Sequence, residues 1–426
     1  MARPGIRTPV SALAAVAILA SVFGAVRAQG PATAAGPTLA APTASAATPA
    51  SAPAARSARS ASYSIDAALD PRTRTITGRS LVTWRNVTSR PATELRLHLY
   101  WNAFKHTRST FLRERLLAAS PAERRALLSR PLDDFGHTTI TAVRLIGAGA
   151  APPVDLTSTL HYIHPDDGNP EDETLVRLPL PAPAAAGQTV NLEVEWTAKV
   201  PRPFARTGAI GSYYFVAQWF PKVAVLAESG WVAHQFHAAT EFFSPFGVYD
   251  VRLRVPTGWV VGATGRAQDP RDNGDGTTTH RFVQEDVHDF AWTADPRYIE
   301  QVHHFSAERD VTPQEYAEAA ALLGRPLDEV KLRDVEIRLL IQPIHLPQAS
   351  KYVESAKAAI KWFGLWYGRY PYATLTVVDP APEGRNAGGM EYPTLIPGGT
   401  SFLLNRWPLW GVRAVEEVTV HEFGHQ

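Results

Sequence analysis

The chain has 426 residues, with 42 basic and 41 acidic side chains and a formal net charge of +1. This balance gives no electrostatic reason to expect nucleic acid or another polyanion as a partner. The sequence contains no cysteine, which excludes disulfides, thiol nucleophiles, zinc sites with cysteine ligands and a lipid anchor on an N-terminal cysteine. Its 45% hydrophobic and 19% charged residues are typical of a globular protein, and its length predicts two or three domains.

The first 28 residues have the layout of a secretory signal. Arg3 and Arg7 precede the apolar stretch VSALAAVAILASVFGAV, and the small residues Val26 and Ala28 mark a cleavage point after Ala28. We therefore expect a signal peptide over 1–28, a secreted or periplasmic bacterial protein, and no stable membrane span after cleavage. The alternative is an uncleaved N-terminal helix that anchors the chain to the envelope, because the apolar stretch approaches the length of a bilayer span.

Residues 29–61 consist mainly of Ala, Pro, Thr and Ser. Such a segment buries too little apolar surface to offset the entropy lost on ordering, so we predict a disordered linker. From residue 62 to 305, ELRLHLYW, TVNLEVEWTAKV and YDVRLRVPTGWVVGATG alternate apolar and polar residues, as strands do. One helical interruption, STFLRERLLAASPAERRALLSRP, lies among them. This pattern predicts an N-terminal antiparallel β domain, folded as a saddle or a sandwich.

After residue 305, strands and helices alternate. The stretch VTPQEYAEAAALLG has Thr312 as an N-cap, Pro313 at the first helical position, Glu315 closing a capping box and Gly324 as a stop. VEIRLLIQP and ATLTVVDP are predicted strands on either side of an amphipathic helix, QASKYVESAKAAIKWFGLWYGRY. We therefore predict an α+β, multidomain chain whose second domain, over 306–426, is mixed α/β and incomplete.

The last predicted helix carries a metal-binding motif, HEFGH. His421 and His425 are four residues apart, so both imidazoles lie on one face of the helix, where two nitrogens can reach one zinc ion. Glu422 follows the first histidine and is placed to act as a general base on a water molecule, as in the H-E-x-x-H zinc peptidases. The alternative is an ordinary helix end, where His and Gln favour the helix dipole.

A second element lies about thirty residues upstream, in RNAGGMEYPTLI. Gly388 and Gly389 come directly before Met390 and Glu391, which indicates an exposed, extended backbone with a carboxylate available to a cation. By itself the stretch is more typical of a glycine-containing loop with a solvated acidic residue.

Together the two elements resemble those of the M1 family of zinc aminopeptidases, in the gluzincin group. That family has G-x-M-E-N on the edge strand of the active-site cleft, followed by H-E-x-x-H on a helix. Tyr392 stands here in place of the family's Asn, and Gln426 matches the residue that usually follows the second motif. LHLYWNAFKHTRSTFLRE, AQWFPKVAV, FFSPFGVYDVRLRVP and EDVHDFAW are similar to the N-terminal β saddle of bacterial members, so the resemblance covers residues 62–426. The residues that match the two motifs are Gly388, Gly389, Met390, Glu391, His421, Glu422 and His425.

The resemblance implies a thermolysin-like catalytic domain with one zinc ion (Zn2+) held by His421 and His425, and with Glu422 as the general base. It also implies that Glu391 binds the free α-amino group of a peptide, so that a terminal residue is admitted and an internal segment is rejected. The other residues implied to contact the substrate are Gly388, Gly389, Met390 and Gln218.

The family's third zinc ligand, a glutamate eighteen residues beyond the second histidine, and a tyrosine that stabilises the tetrahedral intermediate would both fall after Gln426. Two histidines alone make a weak, open zinc site. We therefore expect a fragment of a longer metallopeptidase that binds zinc poorly and is inactive as written.

Other functions fit the same residues. A zinc endopeptidase, or another hydrolase on this scaffold, would use Glu391 only structurally, and an inactive extracellular β-rich binding protein would carry a vestigial HEFGH. A zincin of another clan would have a third histidine further on, although GGMEYP argues against it. The expected partners are peptides with a free N-terminus. Oligomeric state, preferred terminal residue and physiological substrate do not follow from the sequence.

Several polar stretches are not expected to bind metal. The histidine pairs in HYIH, HQFH and VHHF lie in the β-rich region. Their spacing places the two rings of each pair on opposite faces of a strand, so they cannot share a metal ion. The acidic stretch PDDGNPEDE lacks the alternating ligand register of an EF-hand, which favours a solvated loop over a calcium site.

Overall fold

The computed structural model describes residues 55–147, 152–399 and 413–426, without the side chains of 385–387. These residues form one compact, strand-rich α+β unit with several sheets, as the sequence predicts at this level. The predicted signal peptide and most of the predicted linker lie outside the described residues. None of the described helices is long and apolar enough to cross a membrane.

The strands and helices follow one another in an order that separates a long β-rich region from a shorter α/β region. The strands are β1 (Ala61–Asp70), β2 (Thr75–Arg85), β3 (Ala92–His98), β4 (His137–Ile146), β5 (Val154–Asp155), β6 (His161–Tyr162), β7 (Leu175–Ala184), β8 (Thr189–Lys199), β9 (Gly208–Ile210), β10 (Tyr213–Val216), β11 (Lys222–Val223), β12 (Val225–Ala227), β13 (Gly230–Val232), β14 (Gly247–Pro256), β15 (Val260–Ala263), β16 (Arg266–Ala267), β17 (Arg271–Asp272), β18 (Thr277–Val287), β19 (Trp292–Asp295), β20 (Ile299–Phe305), β21 (Val335–Ile341), β22 (Thr374–Val378) and β23 (Leu395–Pro397). The helices are α1 (Thr110–Ala118), α2 (Pro121–Leu128), α3 (Pro313–Leu323), α4 (Leu327–Val330), α5 (Ala349–Tyr367) and α6 (Ala414–Gly424).

Within the described residues, the largest sheet has nine strands, in the order β16-β18-β14-β1-β2-β8-β4-β5 with β17 beside β18. Strands such as β2, TITGRSLVTWR, alternate buried and exposed residues, so one face packs on the core and the other meets water. The sheet is antiparallel as predicted, except that β1 and β14 run parallel with Tyr63 opposite Tyr249. A long stretch of chain separates these two strands, so no hairpin forces them to be antiparallel.

Three smaller sheets and a hairpin complete the strand pairing of the described chain. The four-stranded sheets have the orders β15-β19-β10-β9, β11-β3-β7-β6 and β20-β21-β22-β23, and β12 pairs with β13. In the last sheet β20 is antiparallel to β21, whereas β21, β22 and β23 are parallel. This mixed sheet therefore starts at Ile299, a few residues before the predicted domain boundary at 305.

The helical interruption in the β-rich region is two helices, α1 and α2, and not one. Ser120 and Glu123 form a capping box at the start of α2, and Pro121 occupies its first position. A proline there has no N–H to continue α1, so the chain ends one helix and begins another.

Helix α3 begins and ends where the sequence predicts, whereas the short helix α4 was not predicted. Thr312 and Glu315 form the capping box of α3, and Gly324 ends it in the left-handed conformation. Helix α5 buries most of the predicted stripe, including Tyr352 and Ile360, against the mixed sheet, but Tyr367 at its end is exposed. The folded unit also includes the end of the predicted linker, because Ser57 and Arg59 bind the carboxylate of Asp286.

One histidine is enclosed by the β-rich core. His98 is 3% exposed, stacks on Tyr100 at a centroid distance of 4.7 Å, and neither of its ring nitrogens has a hydrogen-bond partner among the described residues. Burial, followed by the positive charges of Lys222 and His234, lowers the pKa of His98 to about 3. The folded protein therefore keeps this imidazole neutral.

We predict that His98 makes the protein less stable as the pH falls. Between pH 6.5 and about 3 the unfolded chain binds a proton at this position and the folded chain does not, so the free energy of unfolding should fall by up to about 1.4 kcal/mol per pH unit on acidification. Urea unfolding from pH 7 to pH 4 measures the slope. The variant H98F keeps a ring to stack on Tyr100 and should have a shallower slope; identical slopes in both proteins would contradict the assignment.

Candidate metal and peptide site

The candidate site is built on the last described helix, α6. Val415, Thr419, Glu422 and Phe423 are buried, whereas the two histidines of the motif lie on the exposed side. The Phe423 ring stacks on Phe363 of α5 with centroids 6.3 Å apart. This contact fixes the rotation of α6 about its axis, because a large apolar ring on one face must stay on the core.

The two histidines lie side by side, as the i, i+4 spacing predicts. The ring centroids of His421 and His425 are 5.1 Å apart, and the ring planes are inclined at 79°. Both rings are exposed, so each can turn to direct a nitrogen at a shared ligand.

The helix end meets the loop that carries the second predicted element. A carboxylate oxygen of Glu391, a carboxylate oxygen of Glu422 and a ring nitrogen of His425 all lie within 4.8 Å of one another. His421 is outside this closest set, although its ring is beside that of His425. The fold therefore brings two elements about thirty residues apart into one polar cluster.

The donor set suits a zinc ion. Imidazole nitrogens and carboxylate oxygens bind zinc at ~2.0–2.2 Å, so donors around a tetrahedral ion are separated by roughly 3.4 Å. Donors within 4.8 Å of one another reach that separation through small side-chain rotations. The donors that the fold brings together are those of Glu391, Glu422 and His425, and the ring of His421 lies beside that of His425.

Glu422 is unusual among these groups because it is 7% exposed. Burial, followed by the negative charge of Glu391, raises the pKa of the Glu422 carboxyl above its ordinary value, and the histidines oppose that shift. A carboxylate that accepts a proton more readily is better suited to general-base chemistry near neutral pH.

Gly389 leaves room for the Glu422 carboxylate. A Cβ atom at position 389 would lie 3.4 Å from Glu422 Oε1, and the backbone has φ +69°, which side chains rarely adopt. The prediction of an extended backbone here is therefore wrong at Gly389. Gly388 to Glu391 lie in an irregular segment before β23 and not within a strand. The left-handed turn brings the Gly389 N–H to the carbonyl of Pro397, at 2.9 Å.

Gln426 ties this loop to the helix end. Its Nε2 donates to the backbone carbonyls of Glu391 and Tyr392 at 3.0 and 3.2 Å, and its Oε1 accepts from the N–H of Thr394 at 3.0 Å. These three hydrogen bonds fix the position of the backbone at Glu391 relative to the motif on α6. The sequence shows only that Gln426 follows the motif; nothing in it signals this contact.

Two of the residues implied to contact substrate are buried away from the cluster. Met390 is 7% exposed and packs with an apolar group that includes Tyr392 and Leu395. Gln218 is 2% exposed: its Nε2 donates to Asp289, and its Oε1 accepts from Lys222 at 2.6 Å. No described hydrogen bond of Gln218 reaches the carboxylates on α6 or the loop before β23.

A charged pair that the sequence did not single out also lies near the site. Arg206 donates from Nη1 to Oε2 of Glu241 at 2.6 Å. Burial works to lower the pKa of Arg206, but this hydrogen bond and the charges of Glu241, Tyr392 and Glu391 raise it overall. The charge of Arg206 also lowers the pKa of Glu422, so the guanidinium interacts electrostatically with both carboxylates of the cluster.

The side chains of the other polar stretches form hydrogen bonds with one another and with nearby residues. His237 donates or accepts through both ring nitrogens, to Glu114 at 2.7 Å and to Asp166 at 3.0 Å. In the acidic stretch Asp172 is fully buried and accepts from the N–H groups of Thr110 and Thr174. Most residues of this stretch are exposed, as predicted for a solvated loop, but Asp172 is an exception and binds the loop to the start of α1.

No family model matches the chain, and no curated protein matches it either. The function proposed below is therefore argued from the geometry of the site and from the residues of the two motifs.

We predict that Q426A releases the loop. Removing the side chain deletes the acceptor of the Thr394 N–H, and a lost hydrogen bond of about 1 kcal/mol should speed exchange of that amide several-fold or more. Hydrogen exchange followed by NMR measures it. The matched control is Q314A, which removes a glutamine from the exposed face of α3 and its hydrogen bond to Glu318. Equal protection of Thr394 in Q426A and the control would show that the anchor is unimportant.

Proposed function

We propose that this chain carries the zinc-binding and substrate-binding elements of an exported metallopeptidase of the aminopeptidase type, with an M1-like, thermolysin-like catalytic domain. The observation that carries the proposal is the meeting of Glu391 with Glu422 and His425 within 4.8 Å. A helix end with incidental histidines gives no reason for a second carboxylate from another segment to lie there.

In this proposal His421 and His425 hold the metal. A bound zinc ion would supply a Lewis acid that polarises the scissile carbonyl and activates water. Two imidazoles alone bind zinc weakly. Glu391 is within reach as a further carboxylate, but we assign it to the substrate, so we expect the two histidines to bind zinc weakly.

Glu422 takes the role of general base. Its carboxylate is buried and lies beside Gly389, where no side chain shields it from the loop. Its raised pKa lets it hold the proton removed from water and deliver it to the leaving amine.

Glu391 takes the role of amine binder. Its backbone carbonyl accepts a hydrogen bond from Gln426, and one of its carboxylate oxygens lies within 4.8 Å of donor atoms of Glu422 and His425. A peptide with a free ammonium group would place its first peptide bond at the metal, whereas an internal segment would leave the carboxylate buried without a counter-charge. The endopeptidase alternative lacks a use for this carboxylate, and a binding protein lacks a use for Glu422.

The first prediction concerns zinc. We expect the chain to bind zinc weakly, to lose most of it on extensive dialysis, and to lose at least about tenfold in affinity in H421A and in H425A, since each removes one ligand. Calorimetric titration with a competing chelator measures the affinity. H161A, an exposed histidine on β6, is the matched control, and E422Q should keep its zinc. Affinities in H421A and H425A equal to that of H161A would refute the proposed ligands.

The second prediction concerns the amino terminus. We expect alaninamide to bind the zinc-loaded chain measurably more tightly than N-acetylalaninamide, because only the former offers an ammonium group to Glu391. NMR titration compares the two. E391Q should remove the difference, and E354Q, an exposed glutamate on α5, should not. Equal binding of both amides by the unmodified chain would favour the endopeptidase alternative.

A further inference from the structure

The turn that approaches Glu391 from the β-rich region has a strained backbone. Phe204 and Thr207 exchange two backbone hydrogen bonds of 2.7 Å, and the two residues between them, Ala205 and Arg206, have φ values of +30° and +68°. Two successive non-glycine residues in this region are uncommon, and such strain persists where surrounding contacts enforce it. Here the Thr207 hydroxyl bonds the carbonyl of Phe215.

The guanidinium of Arg206 forms an ion pair with an exposed carboxylate that another carboxylate can replace. Glu241, which binds its guanidinium, has a side chain that is 62% exposed, and the side chain of Arg206 is 36% exposed. A surface ion pair of this kind stabilises a fold only slightly. An incoming carboxylate can therefore replace Glu241 at little cost, and arginine binds carboxylates through two parallel hydrogen bonds.

A buried hydroxyl without a partner belongs to the apolar group on which Phe242, the neighbour of Glu241, packs. Tyr392 is 2% exposed, its ring packs on Phe215 at 5.8 Å, and its hydroxyl has no hydrogen-bond partner within the described part of the chain. Buried hydroxyl groups are nearly always bonded, so an unmet one at a candidate site points to a ligand. The charges that act on this hydroxyl are, largest first, those of Asp289, Arg206, Glu391 and Glu241.

Arg206 and Tyr392 also share a physical framework. Phe215 accepts the Thr207 hydroxyl through its carbonyl and contacts Tyr392 through its ring. Phe242, the neighbour of Glu241, packs on the same apolar group as Tyr392. The guanidinium, the hydroxyl and the exchangeable carboxylate are thus carried by segments that contact one another, and the charge of Glu391 acts on Arg206.

We propose that Arg206 and the Tyr392 hydroxyl bind a carboxylate of the substrate, and that the site therefore prefers peptides whose first residue is aspartate or glutamate. This inference rests on the proposed function, in which Glu391 binds the α-ammonium group. A terminal acidic residue carries both charges within one residue, so its ammonium meets Glu391 while its side chain displaces Glu241 from Arg206. Tyr392 is also the position at which the GGMEYP element departs from the family pattern.

The test is a binding comparison on the zinc-loaded chain with three probes: the α-amide of aspartic acid, asparaginamide and alaninamide. The first two differ only in the charge and donors of the side chain. We expect the aspartic acid α-amide to bind at least about tenfold more tightly than asparaginamide in NMR or calorimetric titrations.

The variants separate the roles of the three residues. R206Q should abolish the preference for the acidic probe, R206K should restore part of it, and Y392F should reduce it. E241Q should instead increase the affinity for the acidic probe, because it removes the competing carboxylate. R254Q, which breaks the exposed pair of Arg254 on β14 with Asp275, is the matched control and should leave the preference unchanged.

The outcomes distinguish this inference from the function on which it rests. Alaninamide that binds, together with equal affinities for the two other probes, would overturn the acidic preference and leave the amine site standing. A chain that binds none of the three probes would overturn both. A preference that survives in R206Q, with the variant melting at the temperature of the unmodified protein, would overturn the assignment of Arg206. An E241Q variant with weaker acidic-probe binding would overturn the exchange of carboxylates.

Discussion

The contact between the end of α6 and the loop before β23 is the constraint on which the site depends. Helix α6 has 11 residues, a length at which an isolated helix is marginal in water. Its position comes from tertiary packing of Phe423 on α5, and the loop is then fixed to it by Gln426. The relative placement of Glu391 and Glu422 is therefore a property of the folded α/β region, and it does not follow from the motif residues alone.

This placement has an electrostatic consequence. Two carboxylates within 4.8 Å of each other repel, and the repulsion is stronger where one of them is buried, as Glu422 is. Such a pair is stable when a proton, a cation or a positive side chain lies close by. Burial and Glu391 raise the pKa of Glu422, whereas the histidines of the motif and Arg206 lower it, so positive charge beside the two carboxylates opposes their repulsion. A metal ion and a substrate ammonium group are the two cations that the donor types favour.

The sequence predicts those parts of the fold that depend on local patterns. The caps of α3, most of the stripe of α5 and the alternation of β8 are determined by neighbours within a few residues, and the structure agrees with each. The sequence does not reveal features that depend on distant residues. These are the parallel pairing of β1 with β14, the left-handed turn at Gly389 and the burial of Asp172. In the site, residue types and spacing identified the motif residues, whereas the anchor Gln426 and the pair Arg206–Glu241 depend on contacts between segments far apart in the chain.

The β-rich region contributes to the site mainly by supporting the loop that carries Glu391. Gln218, Lys222 and Asp289 form a buried network in which both ends of the Gln218 amide are engaged. A buried lysine is tolerated because its charge is paired, and removal of either partner would leave the other uncompensated. Such a network stabilises one arrangement of these three side chains over the alternatives. It fixes the strands from which Phe215 packs on Tyr392, and so the loop with Glu391 is supported from the β-rich side as well as from α6. A site that must hold two like charges close together needs support from both directions, because each carboxylate would otherwise move away from the other.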